Sequence, residues 1–238
     1  MPATASYHHG NLRESLVEAA IEVARTSGPD GLALRDLARR VGVSHNAAYR
    51  HFADRDALVA EVARRGMAGL VAAMRSGLEQ VEAAGSGSGD PVLRARRRLA
   101  EIGRGYVAFA LAEPGLFRVA FSSYPHAPGS PGAVEPGPAE PADPPAEPPE
   151  VDPFGLLNQV LDELVEVGFL HPEARPGAEI MCWSAVHGFA MLHLDGPLSG
   201  EADDVRAAAL DHVLVSIDRG YAATTGSTAV ALEAFLPG

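Results

Sequence analysis

Residues 34–52 have the sequence LRDLARRVGVSHNAAYRHF, which predicts two short helices joined by a tight turn. Gly42 stands where a helix commonly ends in a left-handed residue, a conformation that glycine adopts easily. Ser44 can cap the second helix by accepting a backbone N–H. Apolar residues at helical spacing mark the buried side of the first helix, namely Leu34, Leu37, Ala38 and Val41. The stretch predicts a helix-turn-helix whose second helix is suited to enter a DNA major groove.

Three groups of residues in and just after this stretch form a specific pattern: Gly42-Val43-Ser44, Tyr49-Arg50-His51-Phe52 and Arg55-Asp56-Ala57-Leu58. With them the sequence resembles the tetracycline-repressor (TetR) family of bacterial regulators, strongly from about Tyr7 to Val62 and more weakly beyond. The resemblance implies a homodimeric repressor that binds a palindromic operator in double-stranded DNA and is released by a small, largely apolar effector. A DNA-binding activator or structural regulator without a small-molecule inducer is the alternative.

Helical periodicity continues along most of the chain. The predicted fold is all-α with about nine helices, in which a three-helix DNA-binding head precedes a larger helical ligand-binding and dimerisation domain. We expect an amino-terminal arm and DNA-binding domain at 1–53, and the connecting helix with the first part of the ligand-binding domain at 54–122. A loop at 123–153, the remainder of the ligand-binding and dimerisation domain at 154–225, and a tail at 226–238 follow.

Helix boundaries follow from capping residues and breakers. A capping box at Asn11 and Glu14 predicts the start of the first helix. Asp54 can cap a long fourth helix, and Asp90 followed by proline predicts the start of a fifth. From the fourth to the ninth, we expect helices at about 54–84, 91–112, 116–121, 154–169, 176–194 and 201–223.

The segment 123–153 differs in composition from the rest of the chain. It holds eleven of the nineteen prolines and six acidic residues, but no arginine. Such a segment cannot bury enough apolar surface to offset the entropy lost on ordering. We therefore expect a disordered insertion without a direct part in the chemistry.

The charge is unevenly distributed. The net charge is −12, yet residues 1–66 carry nine arginines against eight acidic residues, whereas residues 67–238 carry ten against twenty-three. The acidic part would repel DNA, which argues against non-specific coating of nucleic acid. The single cysteine, Cys182, excludes an internal disulfide and suits a reducing cytoplasm. The apolar run at 180–194 is too short for a membrane span, and no secretion signal is visible, so we expect a cytoplasmic protein.

The resemblance to the TetR family assigns DNA-binding roles by position. The Asn side chain can form two hydrogen bonds with the edge of adenine, and the methyl group of Ala can contact that of thymine. The sequence departs from the family at Ala33 and Leu34, where a hydroxyl residue commonly caps the helix. The positions that meet bases or the adjacent backbone are Arg35, His45, Asn46 and Ala47, and those that meet phosphates are Tyr49, His51 and Arg55. Arg50 suits either role, and Ser44, the cap, is also counted among the DNA-binding residues.

The carboxy-terminal half resembles one class within the family, with the pattern Trp-x-x-x-His-Gly at Trp183, His187 and Gly188. This resemblance implies that helices eight and nine pair with their copies in a homodimer. The candidates to line an effector cavity are Tyr106, Phe109, Phe117, Trp183 and His187. Two interpretations stay open: these aromatic residues form plain core, or His187-Gly188 marks a close helix crossing with the histidine bonded to a carbonyl.

No catalytic pattern accompanies these features. Ser184 lies outside a G-x-S-x-G motif, and Cys182 has no paired motif. The histidine pairs lack the i, i+4 spacing of a metal site, and the motif H-E-x-x-H does not occur. We therefore expect a regulator that is not an enzyme, with no metal and no cofactor.

Overall fold

The computed structural model describes residues 12–84, 89–122 and 152–223. Over these residues the chain forms nine α-helices and no strands, which confirms the predicted all-α fold. The helices are α1 Leu12–Ser27, α2 Leu34–Val41, α3 His45–Tyr49, α4 Arg55–Ala84, α5 Pro91–Ala112, α6 Pro114–Ser122, α7 Pro153–Glu166, α8 Ala178–Leu194 and α9 Asp203–Ala223. Asn11 of the predicted capping box, the tail at 226–238 and all but the last two residues of the predicted insertion at 123–153 lie outside the described residues.

The chain divides into two compact units, which are described separately. The head unit comprises the described residues among 1–68 and 113–148, and the effector unit those among 69–112 and 149–238. The head unit thus takes in α6 and the first part of α4, both of which the sequence analysis placed with the ligand-binding domain.

The core of the head unit forms where α1, α2 and the start of α4 bring fully buried leucines together, among them Leu16, Leu37 and Leu58. Helix α6 packs closely against α1 because Gly115 lacks a side chain: a Cβ atom there would overlap the carbonyl oxygen of Ala24. Burial of these apolar side chains is the main driving force for the assembly of the unit.

In the effector unit, α5 packs against α7, α8 and α9, and the end of α4 crosses α5 closely. The crossing depends on Gly105, since a Cβ there would lie 2.5 Å from the carbonyl oxygen of Ala73. Arg98 of α5 forms ion pairs with Glu82 of α4 (2.5 Å) and Glu163 of α7 (2.8 Å). These contacts fix α5 as the central helix of the unit.

Four helix ends differ from the expected positions by two or three residues. Helix α6 begins at Pro114 and α9 at Asp203, and glycine explains the other two. Helix α7 ends at Glu166, three residues early, because Gly168 adopts a left-handed φ of 74°. The N–H groups of Phe169 and Leu170 then donate to the carbonyl of Leu164 (2.9 and 3.0 Å). Gly177, with a φ of 80°, sets the start of α8 at Ala178. No helix in the described part of the chain is long and apolar enough to cross a membrane.

Candidate DNA interface and effector cavity

The turn between α2 and α3 has the expected geometry. Gly42 adopts a left-handed φ of 78°, and the N–H of Val43 donates to the carbonyl of Ala38 (2.9 Å). Ser44 caps α3, since its hydroxyl oxygen accepts from the N–H of Ala47 (3.2 Å). At the start of α2, Ala33 provides no side-chain cap, as its departure from the family pattern predicts.

Helix α3 presents polar side chains to solvent while its apolar side is buried. Ala48 is fully buried and Phe52 nearly so, which seats the helix on the head unit. The exposed residues of the candidate interface are Arg35, Ser44, Asn46, Tyr49, Arg50, His51 and Arg55, with His45 and Ala47 half-buried among them. All nine candidates therefore lie in the head unit, on or beside the helix-turn-helix.

Arg35, His45 and Tyr49 form a connected group on this surface. The Nε–H of Arg35 donates to Nε2 of His45 (3.2 Å), and the rings of His45 and Tyr49 lie 4.3 Å apart. A histidine that accepts at Nε2 is neutral and carries its hydrogen on Nδ1. His45 thereby keeps one N–H donor at Nδ1.

Arg55 holds the backbone that precedes α2. Its guanidinium donates to the carbonyls of Leu32 (2.8 Å) and Pro29 (2.6 Å). Arginine has five N–H donors, so these two bonds leave others available for a phosphate. Arg55 therefore connects the start of α4 to the segment before the helix-turn-helix.

A buried ion-pair network joins α1 to α4 within the head unit. Glu61 is 6% exposed and receives bonds from Arg64 (2.7 Å), Arg65 (3.2 Å) and Arg13 (3.4 Å). Arg65 also pairs with Glu14 of α1 (2.7 Å). Burial alone would raise the pKa of Glu61, but the hydrogen bonds and charges of Arg64 and Arg13 outweigh it and lower the pKa. Glu61 is thus a stably ionised anchor between the two helices.

The effector unit contains a cavity of about 290 Å³ bounded by α4, α5, α7, α8 and α9. Volumes of this order suit small organic ligands. Tyr106 and Trp183 line it, their rings 5.5 Å apart in an edge-to-face arrangement. The other walls are mostly aliphatic, from Met74, Leu93, Leu99, Ile102, Leu157, Val186, Leu214, Val215 and Ile217.

The remaining aromatic candidates do not line this cavity. His187 lies behind Tyr106, with its Nδ1 2.8 Å from the tyrosine hydroxyl. Phe109 packs against the backbone of α4 at Gly69, where a Cβ would lie 2.9 Å from its ring. Phe117 belongs to the head unit, where it is 1% exposed and packs on Phe121 with ring centroids 4.7 Å apart. Tyr106 and Trp183 are therefore the two sequence-derived candidates that meet at the cavity.

The sequence analysis did not select the polar residues of the cavity. Arg96, Arg97, Arg104 and Asp218 all line it. A signal was present, since Arg97 lies four residues from Leu93 and three from Ala100, on one face of α5. Asp218, however, meets this face only through the fold.

Burial favours the uncharged forms of Tyr106, which lines the cavity, and of His187, which contacts it. Burial raises the pKa of Tyr106 far above its ordinary value and lowers the pKa of His187. Cys182 also lines the cavity; burial raises the pKa of its thiol, which the Tyr221 hydroxyl contacts at 3.1 Å. Its thiol is therefore protonated and a poor nucleophile. Within the described ranges, no group of three or more His, Cys, Asp or Glu side chains is placed to hold a metal ion.

Helices α8 and α9 expose an apolar surface. Of the seven large apolar side chains that are exposed in the described part of the chain, six lie on these helices: Ile180, Met181, Met191, Leu192, Val205 and Val215. Gly188 lies on the exposed side of α8, where a Cβ would find no atom within 4 Å. Within the chain, then, Gly188 makes no close helix crossing.

Comparison with known families and structures gives a consistent result. Residues 16–62 match a family described as bacterial regulatory proteins, tetR family, and residues 99–217 match a tetracyclin repressor-like C-terminal domain. Among curated proteins, no sequence matches this chain significantly.

Solved structures share the fold. A protein of unknown function from Rhodococcus sp. RHA1 is 30% identical, with a TM-score of 0.65 over 92% of this chain and 100% of the other. TetR from Acinetobacter baumannii AYE is 19% identical, with a TM-score of 0.54 over 87% and 95% of the two chains. A variant of that TetR in complex with minocycline is 18% identical, with a TM-score of 0.53 over 90% and 98%.

Proposed function

The chain belongs to the tetR family of bacterial regulatory proteins, and from this premise we propose that it is a homodimeric repressor released from a palindromic operator by a small, largely apolar effector. Members of this family are DNA-binding regulators and not enzymes, so the cavity is a regulatory site. The proposal includes a cytoplasmic location, where the operator lies.

One observation carries the proposal: a single helix connects the two functional elements. Helix α4 is 30 residues long, begins three residues after Phe52 and includes Met74, which lines the cavity. A helix is stiff over this length, which is about 45 Å at 1.5 Å per residue. An effector that displaces the end of α4 would therefore displace its start and the helix-turn-helix.

The candidate residues of the head unit would have two roles on DNA, contact with base edges and contact with phosphates. Asn46, with the Nδ1–H of His45 beside it, suits base edges, whereas Tyr49, His51 and Arg55 suit phosphates. Phosphate contacts fix the register of the helix and carry no sequence information. The sequence preference of the protein would then depend mainly on the first turn of α3.

The exposed apolar surface of α8 and α9 supports dimerisation through these two helices. Contiguous apolar surface on one face of a soluble protein commonly marks an interface. Gly188 would let a partner helix approach closely, since nothing within the chain fills the space beside it. A two-fold dimer places its recognition helices about 34–36 Å apart on successive major grooves, which requires a palindromic operator.

The mechanism requires that effector and operator bind to different states of the dimer. A hundredfold loss of operator affinity corresponds to a coupling free energy of about 2.7 kcal/mol. Thermodynamic linkage requires that operator DNA weaken effector binding by the same factor. This reciprocity can be measured without knowing the regulated genes.

The test begins with the DNA that flanks the gene for this protein, screened for a footprinted palindrome. Compounds that alter the fluorescence of Trp183 are then titrated into the free dimer and into the operator-bound dimer. We expect affinities that differ about a hundredfold. Equal affinities for a compound confirmed to bind would refute the coupling and favour a regulator without a small-molecule inducer.

A further inference from the structure

Positively charged side chains outnumber negatively charged ones around the cavity. Three arginines line it, Arg96, Arg97 and Arg104, whereas Asp218 is the one acidic residue of the lining. Their ion pairs show which of these charges are already balanced.

Two of the three arginines have carboxylate partners. Arg96 forms a bidentate pair with Asp218 of α9, with Nε 2.8 Å from Oδ1 and Nη2 2.6 Å from Oδ2. Its guanidinium also lies 4.7 Å from the centre of the Phe169 ring. Arg104 pairs with Glu101 and Asp211, each at 2.7 Å. Asp218 is therefore engaged by Arg96, and neither pair offers a free charge to a ligand.

Arg97 differs from both. Among the described residues it has no ion-pair or hydrogen-bond partner for its side chain, and it is exposed. It lines the cavity from the second turn of α5, between Leu93 and Ala100 on the same face. An exposed lining residue stands at the rim, whereas the buried residues Tyr106 and Ile102 form the interior. The cavity thus combines an apolar interior with one unbalanced cation at its rim.

We propose that the effector is an apolar carboxylate, whose acid group binds Arg97 and whose hydrocarbon or aromatic body occupies the cavity beside Trp183. A guanidinium forms paired, charge-assisted hydrogen bonds with a carboxylate, which a neutral hydroxyl cannot match. A cationic ligand would meet repulsion at the same place. This inference rests on the proposed role of the cavity as the effector site and adds the chemical class of the effector.

The test compares octanoate with 1-octanol, which have the same chain length and differ in charge. Trp183 is the only tryptophan of the protein, so its fluorescence reports directly on the cavity, and isothermal titration calorimetry provides a second readout. We expect octanoate to bind more tightly. Arg97→Gln should lower the affinity for octanoate about tenfold, a change of about 1.4 kcal/mol, and leave the affinity for 1-octanol unchanged.

Arg94→Gln is the matched control. Arg94 lies on the same helix, is exposed, and does not line the cavity. We expect it to change the binding of neither compound, which separates a contact at the rim from a general effect of positive charge on α5.

Three results would overturn the inference: 1-octanol binds as tightly as octanoate, Arg97→Gln and Arg94→Gln weaken the binding of octanoate equally, or octanoate does not bind. The assay contains no DNA, so it tests which ligands the cavity binds separately from whether a ligand releases the operator. Octanoate that binds through Arg97 without releasing an operator would refute the repressor mechanism and leave the ligand class intact.

Discussion

Replacement of Glu61 by glutamine tests whether the buried ion-pair network stabilises the head unit. The carboxylate is 6% exposed and receives bonds from Arg13, Arg64 and Arg65, whose side chains are 49%, 38% and 34% exposed. Removing one partner of a fully buried pair costs about 3–5 kcal/mol. Because these arginines can regain water, we expect a smaller cost for Glu61→Gln, about 2 kcal/mol.

The assay is thermal unfolding of the full chain followed by circular dichroism. For a protein of this size, about 2 kcal/mol corresponds to a midpoint lowered by roughly 4–8 °C at pH 7. Glu18→Gln is the control, since Glu18 is exposed on α1, the helix that supplies Arg13. It should shift the midpoint by less than about 1–2 °C, as surface substitutions usually do.

The pH dependence identifies the cause. The folded state lowers the pKa of Glu61 below its ordinary value of 4.5, so its contribution is complete above that value and is lost as the pH falls through the folded-state pKa. Glutamine does not titrate. The difference between wild type and Glu61→Gln should therefore be constant near neutral pH and shrink in acid. A difference that stays the same down to pH 3, or one matched by Glu18→Gln, would refute the argument.

Three further predictions concern the other parts of the molecule. In a binding-site selection, Asn46→Ala should relax the preference at one operator base pair by about 1–3 kcal/mol, whereas Tyr49→Phe should weaken binding to all DNA sequences alike. An unchanged base preference for Asn46→Ala would contradict the proposed contact between Asn46 and a base. Gly188→Arg should convert the dimer to a folded monomer in analytical ultracentrifugation, because the chain itself leaves that position open, and a dimer that persists would exclude α8 from the interface. Gly115→Ala should lower the unfolding midpoint more than Gly200→Ala, because a Cβ at position 115 would overlap the carbonyl oxygen of Ala24, whereas one at position 200 would find no atom within 4 Å; equal midpoints would show that α6 can move away from α1 without cost.

Local chemistry explains why the helix-turn-helix was predictable. The left-handed turn requires glycine, and Gly42 provides it; the helix after the turn requires a cap, and Ser44 provides that, both within a few residues of the feature they determine. The start of α4 was predictable for the same reason, since Asp54 accepts from the N–H of Ala57 (2.8 Å). The predicted end of α7 was three residues too late and the predicted start of α8 two residues too early. The helical pattern of apolar residues extends past Gly168, which stops α7, and past Gly177, which precedes α8.

The cavity depends on contacts that the sequence pattern does not record. The four arginines between positions 94 and 98 have the appearance of a solvated surface. Yet Arg96 is paired with an aspartate 122 residues later, and both Arg96 and Arg97 line a cavity. The aromatic residues show the reverse error. Phe117 was selected as a cavity candidate because it is an aromatic residue at helical spacing, yet it packs in the head unit. Which face of α5 or α6 meets a neighbour is a tertiary property, and helical periodicity alone does not determine it.

The distribution of charge around the cavity also constrains how an effector can lie. Burial keeps Tyr106 and the thiol of Cys182 protonated and disfavours charge on His187, so the interior provides polar atoms but no fixed charge at neutral pH. Fixed charges occur among the lining arginines and Asp218, and two of those arginines are already neutralised. An ionised group placed deep among the aromatic residues would lose its hydration without gaining a counter-ion. An anionic effector therefore has one favourable orientation, with its apolar end toward Trp183 and its charge at the rim, where Arg97 meets it.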